Sequence, residues 1–213
     1  MRICTQFAVA ALLLSCLAAP ALAKYRFGAR AGANLSAFGG EFGDAVHPDA
    51  VIAPNVAFIY EYEFVPRFAF RLEAGYSGKG GTRKTDSTDP FGKVTTYTDT
   101  WRFDYLEVPM LFRGRLRSVA GVAPFIDLGL SAGCTLSGKI ESYPVLIRVL
   151  GVGPSMQPVD YGWVAGGGVE FAAGSGRIGI EARFTRGFGD LFDLEDNLPA
   201  INQAVSLSLS YTR

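Results

Sequence analysis

The feature that most constrains the fold is a two-residue alternation of apolar and polar side chains. In segment 106–113 the even-numbered residues are leucine, valine, methionine and phenylalanine, whereas Glu107 and Arg113 occupy odd positions. Successive side chains of a β-strand point to opposite faces, so the segment predicts a strand with one apolar and one charged face. Pro109 cannot donate a ladder hydrogen bond, which predicts a position near a rim or a bulge.

The aromatic residues just before this segment have the opposite parity. Trp101, Phe103 and Tyr105 alternate with Arg102 and Asp104. If both halves turn their apolar face to one medium, the register must slip by one residue where they join. A β-bulge produces such a slip. The sequence therefore predicts a bulge at this junction.

The same alternation recurs along the chain and predicts eight strands, at about 25–36, 55–64, 68–79, 101–113, 124–134, 161–171, 177–185 and 204–212. The connections alternate in length, with long loops predicted at 38–49, 80–96, 137–158 and 189–199. Each strand offers about ten residues, the length of a tilted membrane strand. This pattern predicts an all-β fold, an eight-stranded antiparallel up-and-down transmembrane β-barrel with both termini at one rim.

The first 23 residues are predicted to be a signal peptide. Arg2 supplies the positive end, 7–17 the apolar core and 21–23 an Ala-x-Ala cleavage site, which leaves residues 24–213 as one barrel domain. An alternative is lipoprotein processing at Cys16, because 13–16 loosely resembles a lipoprotein box. Removal of the signal peptide leaves Cys134 as the single cysteine, so no intramolecular disulfide is expected. Cys134 is predicted to be a small apolar residue that faces lipid.

Composition excludes several classes of function. The 20 basic and 20 acidic residues balance, whereas nucleic-acid binding requires a basic excess. One histidine and one mature cysteine do not supply the usual ligands of a zinc site. The glycine run 166–168 lacks the lysine and helix of a phosphate loop, so close strand packing explains it better. We therefore expect no cofactor, no metal and no nucleic acid partner.

Alternation alone does not say which face lies inside the barrel. The polar face is rich in glycine, serine and paired charges, mostly arginine, which favours a confined ion-pair network over a solvated surface. Aromatic residues at strand ends and the export signal also favour lipid outside. A soluble periplasmic barrel with inverted faces is the alternative. The predicted lumen network comprises Arg30, Glu61, Arg71, Glu73, Arg102, Glu107, Asp127, Glu170, Glu181 and Arg183.

A lumen of eight strands is just wide enough for side chains, so an open pore is not expected. No catalytic residue is assigned. The alternative is a lipid-modifying barrel enzyme that uses His47 with Ser36, Asp44 or Asp49. The acidic loop containing Asp190, Asp193, Glu195 and Asp196 is predicted to be a solvated loop rather than a cation site. The role of the apolar patch 145–152 is left open.

Several stretches of the chain resemble the outer-membrane β-barrel domain family, in its PorT-like group. They are 27–34, 105–109, 160–171, 177–187 and 205–211. The resemblance implies an eight-stranded barrel in the outer membrane of a Gram-negative cell. It further implies insertion by the barrel-assembly machinery and contact with outer-membrane lipid and lipopolysaccharide. The expected role is structural, anchoring or interaction through extracellular loops. Since one member group assists protein secretion, an accessory role in secretion is a further alternative.

Overall fold

The computed structural model describes residues 24–41, 48–88, 91–143, 147–150, 157–189 and 200–213. The signal-peptide prediction, His47, Asp44 and the acidic loop lie outside these ranges. The strands are β1 Lys24–Gly39, β2 Asp49–Val65, β3 Phe68–Thr88, β4 Val94–Arg115, β5 Val122–Tyr143, β6 Ile147–Leu150, β7 Val159–Ala173, β8 Gly176–Gly187 and β9 Ile201–Thr212. Within the described part of the chain, no helix is long and apolar enough to cross a bilayer.

Eight of these strands pair with their sequence neighbours in antiparallel fashion and form a closed ring. Closure occurs between β1 and β9, where Ala29 pairs with Tyr211, and the β4–β5 pairing completes the circuit. The predicted fold is confirmed. The ninth strand, β6, pairs only with the far end of β5, so it stands outside the ring. It runs through the apolar patch whose role the sequence left open.

Short turns connect the strands at the end of the barrel where β1 begins and β9 ends. Arg67 has φ of 74° in the turn after β2, and Ala120 and Gly121 have φ of 50° and 82° in the turn before β5. Two successive residues with positive φ fit a tight hairpin whose twist matches that of the strands. In outer-membrane barrels the short turns lie on the periplasmic side, which places the longer connections outside the cell.

Two of the predicted long loops contain strand, at 80–88 and 94–96 in the first and at 137–143 and 147–150 in the second. β3 and β4 remain paired from Gly81–Trp101 out to Thr88–Val94, and β5 continues to Tyr143. The prediction of loops over 80–96 and 137–158 is therefore wrong at these strand positions, whereas 89–90, 144–146 and 151–156 lie outside the described residues. The first of these segments is rich in threonine, which has high β-propensity, and cross-strand partners satisfy the backbone hydrogen bonds of both.

The apolar face of the ring points outward. Phe58 is 64% exposed, Leu128 58% and Leu207 64%, whereas Arg71 and Asp127 are fully buried inside. This arrangement is the reverse of a soluble barrel and is that of a membrane barrel. Cys134 lies on the outward, apolar face, as the sequence predicted, although its side chain is only 6% exposed. Its pairing with Leu106 on one side and Val159 on the other covers this small side chain.

Candidate functional site

Five arginines and five carboxylates fill the half of the lumen nearest the short turns. Their formal charges cancel, and each residue is at most 9% exposed. Pairing is what makes such burial tolerable, because an unpaired buried charge costs about 3–5 kcal/mol. The ten residues are Arg30, Arg71, Arg113, Arg115, Arg183, Glu61, Glu73, Asp127, Glu170 and Glu181. We call this set the ionic layer.

Arg113 on β4 is one centre of the ionic layer. Its Nε and Nη2 donate to the two oxygens of Asp127 at 2.8 and 2.6 Å, a bidentate arrangement. Its Nη1 donates to Glu170 at 2.5 Å and its Nη2 also donates to Glu181 at 3.1 Å. The guanidinium lies 3.7 Å from the centre of the Phe125 ring. One side chain thus connects three strands across the lumen.

Glu73 on β3 is the second centre. Arg30 Nε donates to it at 2.7 Å, Arg71 Nε at 2.6 Å, and Arg183 Nη1 and Nη2 at 2.8 and 2.7 Å. Arg115 links this layer to the periplasmic end, since it donates to both Glu61 and Glu170. Arg183 joins the two centres, because its Nη2 also pairs with Glu181 at 2.9 Å. The layer is therefore one connected network rather than a set of separate pairs.

Nine of the ten residues predicted for the lumen lie inside the barrel. Eight are in the ionic layer, and Glu107 lies farther along β4, where it pairs with Lys79. Arg102 is the exception, because it is exposed on the outer face, and its prediction is wrong. The inward side chains of β4 are odd-numbered throughout 101–115. The predicted network omitted Arg113, although the alternation had placed it on the charged face, and Arg115, whose odd number matches that face.

Above the ionic layer, amide and hydroxyl groups replace most of the charges. Asn55 Nδ2 donates to Asn34 Oδ1 at 2.8 Å, and Asn34 Nδ2 donates to Ser77 Oγ at 3.0 Å. A cavity of about 20 Å³ lies at this level, between the ionic layer and the pair Lys79–Glu107. That volume holds about one water molecule. It is too small for a water-filled passage.

The extracellular mouth of the lumen is closed by an aromatic cluster, which we call the mouth cluster. Phe38, Phe103, Tyr105 and Ala200 are buried in it, and Trp101 packs against it. The Tyr105 hydroxyl accepts a hydrogen bond from Asn202 at 2.7 Å. In the part of the chain that the structure describes, buried side chains thus fill the lumen at two levels with different chemistry.

Charged residues lie beside the mouth cluster, on the ends of β3 and β4 that are farthest from the short turns. Arg83 lies 5.6 Å from the Trp101 ring centre and pairs with Asp99 at 3.0 Å. On the outer face, Lys84 donates to Asp49 at 2.8 Å, and this contact raises the pKa of the Lys84 ammonium.

The alternative hypothesis of a lipid-modifying enzyme named four residues, of which the structure describes Ser36 and Asp49. These two do not lie together. Ser36 is buried in the lumen, where its hydroxyl accepts a hydrogen bond from Gly80 N at 2.8 Å and donates to Gly80 O at 3.2 Å. Asp49 lies on the outer face and pairs with Lys84. In the described ranges, no group of three or more histidine, cysteine, aspartate or glutamate residues is arranged to hold a metal.

The solved structures that resemble this barrel include three bacterial surface or outer-membrane proteins. The neisserial surface protein A, NspA, matches with a TM-score of 0.50 at 10% identity, over 88% of this chain and 97% of its own. OprG from Pseudomonas aeruginosa matches with a TM-score of 0.45 at 10% identity, over 88% of this chain and 95% of its own. Ail from Yersinia pestis matches with a TM-score of 0.43 at 13% identity, over 89% of this chain and 99% of its own. The likeness to NspA shows the fold.

Sequence comparison gives the family. No curated protein sequence matches the chain. A family model described as "Outer membrane protein beta-barrel domain" matches residues 24–193, which is most of the chain. This match agrees with the closed ring, the outward apolar face and the buried charges. The chain therefore belongs to the outer membrane β-barrel domain family.

Proposed function

We propose that the protein is a non-conducting outer-membrane barrel with a structural, anchoring or interaction role. The observation that supports this proposal most directly is the double occlusion of the lumen. The ionic layer fills the periplasmic half, and the mouth cluster covers the extracellular end. Ions and solutes would have to displace both.

The uneven strand lengths favour interaction on the extracellular side. β3, β4 and β5 contain 21 or 22 residues, whereas β8 and β9 contain 12. A membrane crossing takes about 9–11 residues, so the longer strands project by roughly 30 Å of additional strand. This projection, which we call the extracellular extension, is the surface through which a protein partner would be recognised.

Conductance in planar bilayers tests the closed lumen. The folded protein should give no conductance steps, whereas regular single-channel openings would contradict the proposal.

A variant in which an Asn-Gly turn replaces 84–98 tests the interaction role. Arg83 and Asp99 are cross-strand partners, so a two-residue turn can join them. The shortened barrel should fold and lose partners that cross-link to the full-length protein; retention of all of them would argue against the extension.

The proposal includes export by the predicted signal peptide. The N-terminal sequence of the mature protein from outer membranes should begin at Lys24, whereas a lipid-modified Cys16 would support the lipoprotein alternative.

The proposal also treats the protein as non-enzymatic. This part is supported by the hydrogen bond that the Ser36 hydroxyl donates to Gly80 O inside the lumen. A deletion strain should contain unchanged lipid A, and altered lipid A would favour the enzyme alternative.

A further inference from the structure

The outer face of β4 and β5 changes from apolar to polar between one outward-facing residue and the next. Leu106 on β4 is followed outward by Asp104, and Leu136 on β5 is followed by Ser137. The Tyr76 and Ser137 hydroxyls donate to the two oxygens of Asp104, each at 2.5 Å. Both oxygens of this carboxylate thus accept hydrogen bonds from hydroxyl groups. We call the apolar outer surface on the periplasmic side of Asp104 the apolar belt, so Asp104 marks its upper border.

One step farther out, two cations face each other across the strands. Arg102 and Lys139 are direct cross-strand partners, a placement that is destabilising for like charges. Among the described residues, neither side chain has a hydrogen-bond or ion-pair partner. Lys139 acts electrostatically on Asp104, and Glu141 is the next outward residue of β5. On the other side of Arg102 the cross-strand partner is Gly80, which offers no side chain to cover the guanidinium.

The height of this pair matches the lipid headgroups. Arg102 lies four residues beyond Leu106. At about 3.3 Å per residue and a tilt of about 40°, it stands roughly 10 Å above Leu106 and roughly 5 Å above the border at Asp104. An arginine fork and a lysine ammonium together suit a phosphate, which the arginine binds through two parallel hydrogen bonds.

We propose that Arg102 and Lys139 form a binding site for the phosphorylated headgroup of lipopolysaccharide in the outer leaflet. A phosphate between them would remove the repulsion that their pairing creates. Thr82 and Thr100, whose hydroxyls are 3.2 Å apart on the step above, offer additional hydrogen-bonding groups to the sugar. The inference concerns how the barrel is seated in the membrane and does not depend on the proposed interaction role.

The test is a titration of the folded mature protein, in maltoside micelles, with bisphosphorylated lipid A, followed by native mass spectrometry. The variant Arg102→Gln/Lys139→Gln should bind about tenfold more weakly, because it loses two charge-assisted contacts. The matched control Arg117→Gln/Arg213→Gln also removes two exposed cations, at the periplasmic end, and should bind like the wild type. Heat-dependent gel mobility verifies that each variant is folded. Lys139→Arg keeps the charge and should retain binding.

Three results would overturn the proposal. One is equal affinity of the folded Gln variants and the wild type. Another is equally tight binding of a lipid A analogue that lacks both phosphates, which would mean that acyl chains alone are recognised. The third is binding of inorganic phosphate at this pair without binding of lipid A, which would indicate an anion site unrelated to the membrane.

Discussion

The wall of the barrel below Asp104 and the wall above it use the same strands but opposite polarity. Below, Arg113 and Leu111 point inward while Phe112 and Met110 face lipid. Above, the inward residues are the aromatics of the mouth cluster, and the outward ones are threonines and charged residues. The odd-numbered side chains of β4 point inward on both sides of Asp104. The medium outside the wall changes from hydrocarbon to water, and the residues follow it.

This comparison corrects the prediction of a bulge that keeps both halves of β4 in one medium. A register shift does occur between Asp104 and Tyr105 in the β4–β5 pairing. The extra residue is Leu136 on β5, because Thr135 pairs with Tyr105 and Ser137 with Asp104. β4 itself does not change faces. The opposite parity of its aromatic half reflects the border of the bilayer.

Loss of a centre of the ionic layer should have the largest effect. Arg113→Ala leaves Asp127, Glu170 and Glu181 without a shared partner, so we expect a loss of about 3–5 kcal/mol in the free energy of unfolding. Urea titration in micelles measures it. Arg102→Ala is the control, since this exposed arginine lies outside the lumen and should change little. Equal stability of the two variants would break the distinction between the lumen and the outer face.

Truncation in the mouth cluster should have the next largest effect. Phe103→Ala leaves a cavity among buried rings and should lower stability by about 3 kcal/mol. Phe112→Ala is the matched control, because Phe112 is 63% exposed on the lipid face and its removal leaves no internal cavity. The Phe103→Ala barrel should still give no conductance, since the ionic layer remains. Conductance in this variant would show that the mouth cluster alone closes the lumen.

A charge placed on the outer face distinguishes the two media. Leu128→Arg puts a guanidinium into the apolar belt and should lower stability by about 2 kcal/mol. Thr100→Arg places the same group on the outer face above Asp104, where water solvates it, and should have almost no effect. Unfolding curves in lipid vesicles measure both. Similar losses in the two variants would contradict the position that we assign to the border of the bilayer.

The smallest expected effect is the coupling within the pair Lys79–Glu107. Lys79→Met alone leaves a carboxylate without its cation, whereas Lys79→Met combined with Glu107→Gln removes both charges. We expect the double variant to be more stable than the sum of the single variants implies, with a coupling of about 1 kcal/mol. Additive effects would mean that the two charges act independently, although the side chains form an ion pair.

Much of the fold could be predicted from local alternation, because strand parity is a property of neighbouring residues. The order of the eight ring strands and the residues of the polar face follow from it. The lengths of β3, β4 and β5 could not be predicted, because Gly80 and the threonines after it read as loop until a cross-strand partner satisfies their backbone groups. Arg113 belonged to the polar face, but nothing in its neighbours shows that three carboxylates converge on it.

The sequence by itself determined that the chain alternates, that its charges balance on one face and that the ring closes with eight strands. Only the tertiary structure decided that Arg102 lies outside and that Trp101 and Phe103 lie inside. The reason is physical: parity fixes which side chains share a face, but the medium that a face meets depends on the height of the residue along the barrel axis. That height is set by the whole ring and its fit to the bilayer.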